Sequence, residues 1–295
     1  MGRSKTRDRV EPLCRLIRFE ATDGVDLAGL LYEPERRTRR VAVFLHGTGG
    51  ASIFDSRRTN LLAREFLSRG IAWFPFNNRG AHMIRAVGRG ASYEVIRECV
   101  FDIDGAARFL RSSGYRELYL IGHSTGANKI AVYNARKPRN PFKRYVLLAG
   151  GDDTGMLYAQ LGPRRFRAMI ERSRRMIHER RGDELSPVNL LSWRALYDMA
   201  NPDGDYNVFP FLERMRHIRL GRRAPFRHIR KIRKPALYVY GERDEFCYDD
   251  VPRCTAILAD EVAPNAEIVT LANAGHGFKG VEAELGTLIA EWLSA

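Results

Sequence analysis

Cysteine is scarce and scattered in this 295-residue chain: Cys14, Cys99, Cys247 and Cys254 are the only four, and no two of them stand in a C-x-x-C spacing. That pattern signals neither a disulfide framework nor a zinc site, and no metal or organic cofactor is expected. Long apolar runs are missing as well. Nothing approaches the ~18 residues a membrane span requires, and the opening MGRSKTRDRVEP lacks the apolar stretch of an export signal. A cytoplasmic protein with no membrane span is the expectation. Lysine is rare too, since 42 of the 49 basic residues are arginine. The formal charge of +14 is unevenly spread, with nineteen basic against ten acidic residues in 152–234 and three against eleven from 235 onward. So basic a balance raises the question of nucleic acid. No helix-turn-helix, zinc-finger or aromatic RNA-binding signature accompanies it, so no nucleic-acid partner is expected and most of the arginines read as solvated surface. Internal repeats and low-complexity tracts are absent, and no feature addresses the oligomeric state.

What is present is a change of hydrophobic period along the chain. LCRLIRFEATDGVDLAGLLYEP alternates apolar and polar residues on either side of Asp23-Gly24 and predicts an antiparallel hairpin. After it come continuous apolar runs at 41–47, 71–76, 118–122, 145–150, 236–241 and 267–272. Strands buried on both faces read this way, so an α/β fold with a mostly parallel central sheet is expected. Helical periodicity places the flanking helices at about 57–69, 93–112, 125–136, 251–262 and 281–293. The stretch 152–234 is far longer than one crossover needs and reads as an insertion. It holds the basic helical run PRRFRAMIERSRRMIHERR and the turn-rich NPDGDYNVFPFLERM.

The chemistry starts at LIGHSTGANK, residues 120–129, where a short buried strand meets a helix with almost no loop between them. Glycines two before and two after Ser124 are what so sharp a turn requires, and the serine is left at its tip as an exposed nucleophile. A nucleophilic serine needs a base, a group to orient the base, and donors for an oxyanion. The later strand ends provide candidates in the order serine, acid, histidine. Asp244 follows ALYVYG, and His276 lies between two glycines in NAGHGF. Glu242, Glu245, Asp249, Asp152 and Asp153 compete with Asp244 for the acid's place. HGTGG, residues 46–50, leaves the first long strand through a glycine-rich turn, so the N–H groups of Thr48 and Thr125 are the expected oxyanion pair.

HGTGG, GHSTG, GERDEF and AGHGF, in that order and each at a strand end, resemble the alpha/beta-hydrolase superfamily over nearly the whole chain. FNNRGAH (76–82) is similar to its D-x-R-G turn, with Asn77 where the aspartate would stand. GHSTGANK, GGDDTG and NPDGDYN further resemble a branch that includes siderophore-esterase-like hydrolases. The resemblance implies an alpha/beta-hydrolase fold with a core in two parts, 1–151 and 235–295, and an inserted helical cap at 152–234. It also implies a cofactor-free serine hydrolase cleaving a small-molecule ester, such as a carboxylic, lactone or siderophore-type ester, through an acyl-enzyme on Ser124. Thioesterases, peptidases and acyltransferases share that machinery, and a non-catalytic ligand-binding protein shares the fold. The basic cap suggests an anionic substrate.

Overall fold

Six apolar runs fold as six parallel strands because each buries side chains on both of its faces. The computed structural model describes residues 12–48, 53–54, 57–86 and 88–295. The N-terminal residues 1–11, read above for localisation, and Gly49 and Gly50 of HGTGG lie outside the described residues. The parallel strands are β3 (Arg40–Leu45), β4 (Ala72–Asn77), β5 (Glu117–His123), β6 (Phe142–Leu148), β7 (Ala236–Arg243) and β8 (Ala266–Gly275). The predicted hairpin forms from β1 (Cys14–Glu20) and β2 (Asp26–Tyr32), with Cys14 opposite Tyr32 and Glu20 opposite Asp26. It turns at Gly24, whose φ of 83° is one that glycine adopts without strain. β2 then pairs antiparallel with β4, giving one eight-stranded sheet in the order β1-β2-β4-β3-β5-β6-β7-β8.

The period-two geometry of a strand decides which side chain meets which helix layer. Along β3, Val41, Val43 and Leu45 join one core cluster, and Ala42 and Phe44 join the other. The first cluster contains side chains of α2 (Cys99–Ser112), α3 (Thr125–Arg136) and α7 (Val251–Ala259). The second contains those of α1 (Arg57–Ser68) and α8 (Glu282–Ser294). Helices therefore cover both faces. The expected helix at 93–112 begins only at Cys99, after a single 3-10 turn at Ile96–Glu98. Before it the chain is turned and anchored instead: the Tyr93 N–H donates to Gly90 O at 3.0 Å, and the Ile96 N–H to the distant Asp198 carboxylate at 2.7 Å.

Between β6 and β7 lie α4 (Asp153–His178), α5 (Trp193–Ala200) and α6 (Phe211–Met215). Gly162, at φ 73° and ψ 164°, breaks α4 just before Pro163. Leu157, Phe166 and Met176 of α4 pack with Trp193 and Leu196 of α5 in a separate apolar cluster. Tyr206, Phe209, Phe211 and Phe226 instead join the main core. Arg164, Arg165, Arg167, Arg172, Arg174 and Arg175 of α4 are all exposed, with Arg172 stacked over the Trp193 ring. Among the described residues, no helix is long and apolar enough to cross a membrane.

The strand order reverses beside β3, since the chain moves from β3 to β4 on one side and later to β5 on the other. The carboxyl ends of β3 and β5 thus open a crevice of the kind in which α/β folds bind ligands. The turn after β4 supports its rim. Asn77, in place of an aspartate, still ties a neighbouring loop, because its Oδ1 accepts the Ile53 N–H at 2.9 Å. Arg79 is the hub of the turn: it bonds both oxygens of Asp102, whose side chain is 1% exposed, and also pairs with Asp23 and Glu98. Burial pushes the Asp102 carboxyl up against the pull of Arg79. Arg79→Ala leaves a buried carboxylate without its partner and should lower the free energy of unfolding by about 3–5 kcal/mol. Urea denaturation measures this as a lower midpoint at unchanged slope.

Candidate active site

β5 ends at His123, Ser124 follows, and α3 begins at Thr125. Ser124 has φ 56° and ψ −125°, a backbone region that a residue with a side chain occupies only when its surroundings force it there. The two flanking glycines permit that packing. A Cβ on Gly122 would lie 2.3 Å from the Gly126 carbonyl oxygen, and one on Gly126 would lie 2.3 Å from that of Leu45. The Ser124 N–H donates to Leu148 O at 2.8 Å, which ties the turn to β6. Thr125, as the first residue of α3, leaves its N–H without an acceptor inside the helix.

Asp244 follows β7, is 1% exposed, and accepts the Phe246 N–H at 3.0 Å on Oδ1. The same oxygen lies 2.9 Å from Nδ1 of His276, whose side chain is 13% exposed. With Nδ1–H donating to Asp244, Nε2 of His276 remains free to accept a proton. Three further contacts hold the His276 loop. Its N–H donates to Glu245 Oε2 at 3.1 Å, its carbonyl lies 2.8 Å from His123 Nε2, and its ring meets that of Phe246 at 4.3 Å between centroids. The contact with His123 sets His276 beside the elbow, because His123 immediately precedes Ser124.

The competing acids have other partners. Asp152, buried at the N-terminus of α4, accepts from the N–H groups of Gly155 and Leu212 and from the Tyr248 hydroxyl. Burial pushes its carboxyl up to about 6 despite those donors. Half-buried Asp153 accepts from Asn128 Nδ2 at 2.9 Å. Burial, and then the charge of Asp152, push it up to about 7. Glu242 accepts the Asn273 N–H at 2.8 Å. Of the candidates, Asp244 is the one whose carboxylate hydrogen-bonds the His276 ring.

Thr48 stands on the loop that leaves β3. Gly47 lets this loop approach the elbow, since a Cβ there would come within 3.0 Å of Ser124 Cβ. Thr48 Oγ1 lies 2.5 Å from Thr125 Oγ1, which links the two residues expected to supply oxyanion donors. Beneath this loop runs a buried polar chain that sequence reasoning missed. Lys129 Nζ pairs with Glu94 at 2.5 Å and donates to Asn78 Oδ1 at 3.1 Å. The Asn78 N–H in turn donates to His46 Nε2 at 3.1 Å, and Nδ1–H of His46 donates to Gly47 O at 2.7 Å. Burial, then the charge of Lys129, lower His46 to about 3, so the ring is neutral and matches those two bonds. Tyr206 was also missed: its hydroxyl comes from the insertion to within 3.3 Å of Thr48 Oγ1. The sequence shows a lysine just past the elbow and an aromatic inside NPDGDYN, but neither has a spacing that marks it as part of a site. Among the described residues, no group of His, Cys, Asp or Glu is arranged to hold a metal ion.

A family model described as the alpha/beta hydrolase family matches residues 42–281. No curated protein matches. Among solved structures, Est1E from Butyrivibrio proteoclasticus with ferulic acid bound is 16% identical at a TM-score of 0.64, over 94% of this chain and 97% of that one. The Pyrococcus furiosus esterase Pf2001 is 16% identical at 0.57, over 96% and 91%. A dienelactone hydrolase from Anabaena variabilis is 16% identical at 0.56, over 96% and 98%. At such identities the likeness to these structures is one of fold.

The raised Asp153 carboxyl has a consequence for stability. Between its ordinary value of 3.8 and about 7 the native state keeps a proton that the unfolded chain has lost. Stability must then fall as pH rises through that window. Asp153→Asn retains an oxygen to accept from Asn128 and removes this titration. Its melting temperature should therefore gain on the wild type between pH 4 and pH 8, as read by thermal unfolding at both ends.

Proposed function

The chain belongs to the alpha/beta hydrolase family, and from that premise we propose that it hydrolyses a small-molecule ester through an acyl-enzyme on Ser124. The observation that carries the reading is the pairing of Asp244 with His276 Nδ1 at 2.9 Å, beside a serine held at positive φ between β5 and α3. In this reading His276 Nε2 takes the Ser124 proton as Oγ attacks the ester carbonyl, and Asp244 holds the imidazole in the required tautomer. The tetrahedral oxyanion is met by the N–H groups of Thr48 and Thr125, the second at the positive end of α3. His276 then gives its proton to the departing alcohol. Water, activated by the same histidine, attacks the acyl-serine and releases the acid. Every step uses side chains and backbone groups of this chain.

The names of the structural neighbours, two esterases and a dienelactone hydrolase, support an ester as the bond cleaved. The sequence branch suggested by GGDDTG and NPDGDYN favours a lactone or siderophore-type ester. The insertion 152–234 acts as the cap over the strand ends. Its α4 and α5, with an apolar cluster of their own, shape access to Ser124, and the segment that follows roots the cap in the main core. The six exposed arginines of α4 can act on an anionic ester only at long range. kcat/KM for anionic esters should then fall with rising salt while neutral esters hold steady, as parallel kinetics from low salt to about 1 M would show.

A fluorophosphonate probe tests the nucleophile directly: it should label the wild type at Ser124 and leave Ser124→Ala unlabelled. Ester turnover should drop in that variant by roughly three orders of magnitude or more, with thermal unfolding unchanged. A variant that still turned over at the wild-type rate would remove Ser124 from the mechanism. Asp244→Asn should cost on the order of 10²–10⁴ in kcat, well beyond Asp152→Asn, because only Asp244 sets the tautomer of His276. A panel of esters, thioesters and peptides under the same conditions distinguishes the bond type.

A further inference from the structure

A backbone N–H stabilises an oxyanion in proportion to how firmly it is aimed before the charge develops. Thr48 is poorly placed to be firm on its own account, being an exposed residue in a glycine-rich loop just past the end of β3. What fixes it is its side chain. Thr48 Oγ1 lies 2.5 Å from the hydroxyl of Thr125 and 3.3 Å from that of Tyr206. The first contact ties the β3 loop to the residue after Ser124. The second ties it to the insertion, more than half the chain away in sequence.

We propose that Tyr206 is a positioning residue for the oxyanion site, a phenol carried by the insertion that holds Thr48, and with it the Thr48 N–H, in the geometry the tetrahedral intermediate requires. This rests on the serine-hydrolase reading above and goes beyond it. The insertion becomes part of the machinery that lowers the barrier as well as a cover over the substrate.

Three observations support the assignment. Tyr206 is a rigid post: it is 4% exposed and packs in the main core with Val208 and Phe209. Both of its chain neighbours are anchored as well. Asp205 pairs with Arg136 at the C-terminal end of α3 and accepts from His228 Nε2 at 3.2 Å. Asn207 donates to Pro202 O and to Glu213 Oε1, each at 3.1 Å. The phenol thus shares a frame with the helix that carries the nucleophile's neighbour. Lastly, the phenol stays protonated. Burial, and then the negative charge of Asp153, push the phenol far above its usual range, with Glu94 adding to the effect, so it is a protonated donor at every working pH. Its neutral hydroxyl thus hydrogen-bonds Thr48, whose hydroxyl in turn bonds that of Thr125, with no charge placed beside the oxyanion site.

Losing the phenol hydroxyl frees one of the two side-chain tethers on Thr48, and the loss is felt most where the oxyanion develops. Tyr206→Phe should therefore lower kcat about ten- to a hundredfold with KM within about twofold. The affinity for an aryl trifluoromethyl ketone, which forms a tetrahedral adduct with the nucleophile, should fall by the same factor as kcat, because both report the oxyanion. Thr48→Val removes the other end of the hydrogen bond, so the double variant should be no slower than Thr48→Val alone. A purely structural tyrosine would not produce that coupling. Thermal unfolding of each variant separates loss of fold from loss of rate. The proposal is overturned if Tyr206→Phe keeps its kcat, if its effect lies in KM alone, if a fall in rate merely tracks the loss of folded protein, or if the two single effects multiply in the double variant. A wild type that reacts with fluorophosphonate alongside an indifferent Tyr206→Phe overturns this inference alone. A wild type that neither reacts nor cleaves any ester overturns the serine-hydrolase reading and this inference together.

Discussion

The architecture around Ser124 depends on how closely three backbones approach one another. β5 must pass into α3 within one residue while α3 packs against the end of β3, and there is no room for side chains where they touch. Gly122, Gly126 and Gly47 are the points of contact, and Ser124 takes up the strain as a positive φ. That strain is sustained because the sheet on one side and the helix on the other leave no relaxed alternative. Once the elbow is set, the positions of Thr48 and Thr125 relative to the serine follow from it, and so does the need for the loops after β7 and β8 to converge on the same strand ends.

The buried polar chain from Glu94 through Lys129 and Asn78 to His46 belongs to the same problem. A loop that must lie beside a strained turn needs a floor, and an apolar floor would leave the backbone groups of residues 46–48 and 78–80 with few partners. An ion pair whose side chains are 1% and 5% exposed does little for net stability against an apolar equivalent, but it is directional. It holds Asn78, whose N–H donates to His46 Nε2 and so sets the tautomer in which Nδ1–H bonds Gly47 O as the chain leaves β3.

The fold was legible because the strands buried on both faces declare themselves as unbroken apolar runs, and the hairpin declares itself by alternation around Asp23-Gly24. The elbow was legible because its glycines are demanded by backbone contact alone, whatever the substrate. Asp244 could be chosen only by its position after a strand, since nothing local separates it from Asp152. The structure distinguishes them by partners: His276 for one, and an N-cap, a backbone amide and a tyrosine for the other. Tyr206 and the Lys129 chain were not legible. Their roles arise from contacts between segments far apart in sequence, and a tyrosine or lysine has no local spacing that marks it as buried at a particular site. The helix start at 93 was read too early for a similar reason, because tertiary acceptors compete for N–H groups that periodicity assigns to a helix.

β8 and α8 close the sheet and one of its faces, and His276 lies between them. A chain emerges from the ribosome N-terminus first, so Ser124 and both threonines are outside and able to pack well before the histidine has been translated. The interval is filled by the long insertion. On the proposed mechanism, a nascent chain in that interval has no group to draw the proton from the serine. On that reading, synthesis itself would keep the hydroxyl inert until the final strand and helix have docked.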